Sequence, residues 1–177
     1  MGAVTDFITL PHQVPPAGPW KTWILLGGRG AGKTRGAGEH IKTKLVDPNL
    51  NIGLFAPDRN LGRLLMQPTV QLPDRTLPVF VIGALEVWQG IKFDVSWLDE
   101  PLRPHAEIGN TARAIKERER YEEALAQLLF HCAREPGSQI IISQNDLGVW
   151  PGFFAQLLKH PTTVLTYPES RNPHLSR

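Results

Sequence analysis

With 177 residues, 41% of them hydrophobic and 20% charged, the chain has the size and composition of one soluble globular domain that can bury a core without disulfides or structural metal. No apolar run approaches the ~20 residues of a membrane span, the N-terminus lacks the basic start of a signal peptide, and a net charge of +2 does not by itself announce nucleic-acid binding. The single Cys132 excludes an internal disulfide, fits a reducing cytoplasm and reads as a small core residue, and the six scattered histidines show no zinc-ligand spacing.

Residues 1–20 carry Pro11, Pro15, Pro16, Gly18 and Pro19 and read as an ordered or draping lead-in. Trp23-Ile24-Leu25-Leu26 is short and fully apolar, which suits a strand buried on both faces of a parallel sheet. Ala37, Ile41 and Leu45 then recur every four residues, as on one face of a helix that ends before Pro48. Between strand and helix lies Gly27-Gly28-Arg29-Gly30-Ala31-Gly32-Lys33-Thr34, which matches the G-x-x-x-x-G-K-[ST] phosphate-binding pattern throughout. Such a turn gathers unpaired backbone N–H groups and the positive end of a helix dipole around one anion. Lys33 would reach the β/γ-phosphates of ATP, and Thr34 would offer its hydroxyl to Mg²⁺.

Asn51–Ala56 reads as a second strand, Asp58–Met66 as a short helix and residues 67–78 as a connecting loop. Leu77–Ile82 is strand-like, with Pro78 marking its start or an edge position. Phe93–Leu98 is a mostly apolar strand that delivers Asp99 and Glu100 at its end. Asp99 is suited to holding Mg²⁺ through water, while Glu100, pointing elsewhere, can orient or deprotonate the attacking water. The clearest helix spans Thr111–Arg134, with Ala114, Tyr121, Leu125, Leu128, Leu129 and Cys132 along one side. The mixed-charge run Lys116–Arg120 near its start is most simply a solvated face. Pro136-Gly137 breaks the helix before a buried strand, Gln139–Ser143. From it emerges Ser143-Gln144-Asn145, where a polar residue would sense the γ-phosphate and pass its loss to a moving segment. A short helix over Phe153–Lys159 and a strand over Thr162–Tyr167 complete the order. Strands alternating with helices predict an α/β fold, a doubly wound parallel sheet with helices on both faces and the ligand beyond the strand C-terminal ends. Arg29, inside the glycine loop, would stabilise charge developing on the γ-phosphate or else pair structurally with an acid.

Together these residues resemble the N-terminal packaging ATPase of the large terminase subunit of tailed bacteriophages and gene-transfer agents, a P-loop NTPase of the ASCE type. The opening Pro15–Trp20 running into Thr22–Arg35, the acid-ended strand Phe93–Glu100 and the closing Thr162–Tyr167 with Asn172 and Leu175 carry the likeness. The resemblance implies that Gln13 contacts adenine and that Ser143 and Gln144 fall at the coupling motif, usually a run of threonines. It further implies an ATP- and Mg²⁺-dependent motor that packages double-stranded DNA into a viral or virus-like capsid, in a ring of subunits, in the host cytoplasm. Portal protein, small terminase subunit and a separate nuclease chain are the partners it suggests. Where the family carries Leu-Arg-Gly about ten residues before the acid pair, this chain has Trp88-Gln89-Gly90, so the arginine-finger role is vacant or falls to Arg29 or another arginine. No counterpart of the family's nuclease domain follows, so nuclease activity is not expected. The alternative is a non-motor P-loop nucleotide-binding protein, or a degenerate or split terminase serving as an interaction module.

Overall fold

A computed structural model describes residues 10–58, 60, 62, 77–84, 88–102, 111–145 and 151–167. After a single 3-10 turn, Pro11–Gln13, the chain forms β1 (Thr22–Gly27), α1 (Lys33–Leu45), β2 (Ile52–Ala56), β3 (Val79–Val81), β4 (Val95–Asp99), α2 (Ala112–Ala133), β5 (Gln139–Asn145), α3 (Gly152–Leu158) and β6 (Thr163–Thr166). The strands make one six-stranded sheet in the order β3-β2-β4-β5-β1-β6, and every neighbouring pair is parallel.

Side-chain alternation sorts the apolar residues of the central strands to opposite faces of the sheet. Trp23 and Leu25 of β1, Leu54 of β2, Trp97 of β4 and Ile141 of β5 pack with Ala37, Ile41 and Leu45 of α1. Ile24 and Leu26, Phe55, Leu98, Ile140 and Ile142 pack with Leu125, Leu128, Leu129 and Cys132 of α2 and with Phe154 of α3. Helices therefore cover both faces, which is why β1, β2 and β4 are buried along their whole length rather than alternately. The Cys132 thiol is buried in this second layer, and desolvation pushes its pKa up to about 12.

The short β3 lies at the sheet edge and begins directly after Pro78, whose missing N–H excludes it from a central ladder; its carbonyl still accepts from Leu54 N. Most of the helix expected over Asp58–Met66, and the 67–76 part of the connecting loop, lie outside the described residues, as do Asn172 and Leu175. The long helix is capped at Thr111, whose hydroxyl oxygen accepts from Ala114 N at 3.2 Å. Its buried face begins only at Ala124, so Ala114 and Tyr121 are half-buried and the charged stretch up to Arg120 is largely solvent-facing. Among the described residues, no helix is long and apolar enough to cross a membrane.

Strand order creates the crevice that matters. From β1 the chain crosses through α1, on one face, to β2; from β5 it departs the opposite way, through α3 on the other face, to β6. The connections diverge between the C-terminal ends of β1 and β5, where Gly27 and Asn145 are register partners. A parallel sheet leaves its ligand cleft at such a divergence.

Candidate functional site

The loop between β1 and α1 turns through two left-handed glycines, Gly30 (φ 76°) and Gly32 (φ 78°). Gly32 has a second reason to lack a side chain. A Cβ there would stand 1.8 Å from Gln13 Nε2, which donates to Gly32 O at 3.3 Å. His12 adds a contact of 2.7 Å between its Nε2 and Ala31 O. The Pro11–Gln13 turn thus braces the back of the loop. Gln13 is buried and also accepts from Leu10 N through Oε1, so both ends of its amide are engaged by backbone. Gly28, Arg29 and Gly30 are exposed. Among the described residues Arg29 pairs with no carboxylate.

Lys33 opens α1 and is 6% exposed. Its Nζ donates to Gly28 O at 2.8 Å and to Asn145 Oδ1 at 2.9 Å, and stands 4.0 Å from Glu100 Oε1. Burial lowers its pKa, while the Glu100 and Asp99 carboxylates act the other way. Thr34 Oγ1 donates to Asp99 Oδ1 at 3.3 Å, bringing together the two residues expected to share a cation. Asp99, the last residue of β4, is 2% exposed, and burial pushes its carboxyl up to about 6; the nearby Glu100 also raises it, whereas hydrogen bonds from Ser143 and Thr34 and the Lys33 charge lower it. Ser143 Oγ donates to Asp99 Oδ1 and accepts from Trp97 Nε1 at 2.8 Å. This short polar ladder holds the carboxylate at the strand end.

Glu100 follows Asp99 in a left-handed conformation, φ 48°, the sole non-glycine positive φ among the described residues. The change of backbone direction turns its side chain toward the end of β5, where Asn145 Nδ2 and Asn145 N donate to Oε2 at 2.8 and 3.3 Å. β5 runs through Asn145 rather than stopping at Ser143, so strand parity separates the three polar residues expected there. Ser143 serves Asp99, Asn145 serves Lys33 and Glu100, and Gln144 faces the α2 layer, where its Oε1 accepts from Leu102 N at 2.8 Å. Sequence reading grouped Asn145 with its neighbours without singling it out; extending the strand by two residues and counting parity from Ile142 would have done so. Gln89 is exposed beside buried Trp88, along a groove that also includes Phe130 and Arg134.

The arrangement presents an ammonium and the N-terminus of α1 to an anion, a hydroxyl–carboxylate pair to a hard cation, and a second carboxylate close by. An all-oxygen pair suits Mg²⁺, and cation charge would offset the desolvation carried by Asp99. Among the described residues no group of three or more His, Cys, Asp or Glu could hold a metal ion. Comparison of the sequence with protein-family models and with curated proteins gives no match.

Proposed function

We propose that this chain is an ATP-hydrolysing P-loop motor domain of the ASCE type, like that of the large terminase subunit, and that it drives double-stranded DNA into a viral or virus-like capsid. The observation that carries the reading is the meeting of Lys33, Thr34, Asp99 and Glu100 at the β1–β5 crevice, with β5 inserted between the loop strand β1 and the acid strand β4. On this reading the loop N–H groups from Gly27 to Gly32 cradle the phosphates and Lys33 bears on the β/γ oxygens. Thr34 and Asp99 would hold Mg²⁺, which when bound neutralises charge on the phosphate oxygens. Glu100 accepts the proton of the attacking water. Arg29, exposed and on the loop itself, reaches charge developing on the γ-phosphate of its own or a neighbouring subunit's nucleotide. Gln13, the residue the resemblance assigns to the adenine, also braces the loop through its bond to Gly32 O.

The test is ATP turnover measured against protein concentration, with and without duplex DNA, at two ionic strengths. A motor that completes its sites between subunits on DNA gives a rate per subunit that rises with concentration and with DNA. DNA stimulation falls steeply with salt, because phosphate contacts release counterions. A rate flat in all three variables would favour the non-motor nucleotide-binding alternative.

A further inference from the structure

Glu100 keeps its left-handed φ of 48° immediately before Pro101, where the proline ring already favours extended backbone in the preceding residue. Such a conformation is costly and persists only where its surroundings hold it. The peptide before Glu100 is held, since Glu100 N donates to Ser143 O at 2.7 Å. The peptide after it offers no donor, because Pro101 lacks an N–H. Restraint passes to the next peptide, Pro101–Leu102, which is gripped at both ends. Leu102 N donates to Gln144 Oε1 at 2.8 Å, and Pro101 O accepts from Tyr121 Oη of α2 at 2.9 Å. The Tyr121 ring packs partly buried against the core layer that includes Leu102, and desolvation raises its phenol pKa well above the ordinary range. A phenol kept protonated in this way remains a donor.

We propose that Tyr121 is a positioning residue for the chemical step: by holding Pro101 O it fixes the turn from which the Glu100 carboxylate is aimed. The inference rests on the ATP-hydrolysis reading above. Lys33, Thr34 and Asp99 are held through Gly28, Asn145 and Ser143 and through one another, by bonds in which Tyr121 takes no part. Phosphate and cation binding are therefore independent of the phenol. Glu100 alone stands on the turn that the phenol grips. A small misplacement of a general base lowers the rate of the step it serves and leaves affinity unchanged, because ground-state binding does not use it.

The experiment is calorimetric titration of the whole chain with ATP-Mg²⁺, together with single-turnover hydrolysis in the presence of duplex DNA. Tyr121→Phe keeps the ring and removes only the donor. Its hydrolysis rate constant should fall about tenfold while Kd stays within about twofold of the parent. The same substitution is then made in Glu100→Gln, whose residual rate does not use the carboxylate. There the further loss should shrink to under about twofold, because the phenol acts only through Glu100. A phenol that merely packs α2 would move Kd along with the rate, or cost the same factor in both backgrounds. Either of those results, or an unchanged rate in Tyr121→Phe, overturns the inference and leaves the ATPase reading standing. Should Tyr121→Phe fail to fold, ultraviolet absorbance titration of Tyr167→Phe, in which Tyr121 is the remaining tyrosine, supplies the test. Ionisation well above the ordinary phenol range supports the engaged hydroxyl, and ionisation within that range overturns it. Absence of hydrolysis by the parent overturns the ATPase reading itself, and the inference with it.

Discussion

Asp99 is the residue whose environment makes the sharpest claim about the ligand-free protein. Burial raises its pKa from 3.8 to about 6, so the folded state holds the proton more tightly than the unfolded chain does. For an acid shifted this way, stability falls as pH rises from about 4 to about 6; the cost is absent below that window and fully present above it. The difference corresponds to about 3 kcal/mol as an upper figure. Asp99→Asn keeps the acceptor used by Ser143 and Thr34 but removes the buried charge. Thermal unfolding of the ligand-free variant near neutral pH should therefore give a Tm higher by roughly 4–10 °C, with the gain vanishing near pH 4. A lower Tm near neutrality would mean that the carboxylate is already compensated in the folded protein. Glu100 makes a complementary claim. Glu100→Gln retains size and hydrogen bonding but cannot act as a base, so ATP should stay bound while turnover drops by at least ~10²-fold. Equal turnover in parent and variant would remove Glu100 from the chemistry.

At the scale of elements, most of the architecture could be read from local pattern, and the differences have physical causes. The apolar runs Trp23–Leu26 and Ile140–Ile142 and the four-residue spacing of Ala37, Ile41 and Leu45 announce buried strands and a one-faced helix because each is covered by a neighbouring layer. The extension of β5 through Gln144 and Asn145 was harder to read, because these polar residues are paired by Leu102 N, Lys33 and Glu100, which lie far away in sequence. The Pro11–Gln13 turn was legible only as a proline-rich lead-in; its role as a brace depends on the empty space left by Gly32. In α2, periodicity runs across the whole helix, yet its fully buried residues begin only at Ala124, with Tyr121 packed partly buried against the same core. Leu128 is 0% exposed and Ile115 is 43% exposed, and their truncations should differ accordingly. Leu128→Ala should cost about 2–5 kcal/mol in urea unfolding, and Ile115→Ala within about 0.5 kcal/mol of nothing. Similar losses would show that the first turns of α2 are packed in solution.

At the scale of the whole molecule, the decisive feature is strand order, which local sequence pattern does not encode. Alternating strands and helices predict a parallel sheet, but not that β5 enters between β1 and β4 and brings Asn145 to Lys33 on one side and Glu100 on the other. That insertion converts two sequence motifs into one crevice lined by an ammonium, a hydroxyl and two carboxylates. Every step of the proposed function begins with a phosphate entering this crevice and meeting Lys33. The most direct measurement is equilibrium binding of ATP-Mg²⁺ to the parent and to Lys33→Ala, with circular dichroism confirming that both are folded. Saturable binding by the parent, weakened at least about tenfold in the variant, is the predicted result, because losing a charge-assisted contact in a buried site costs about 1.5–3 kcal/mol. Equal affinity in the two proteins, or no binding by the folded parent, would contradict the account.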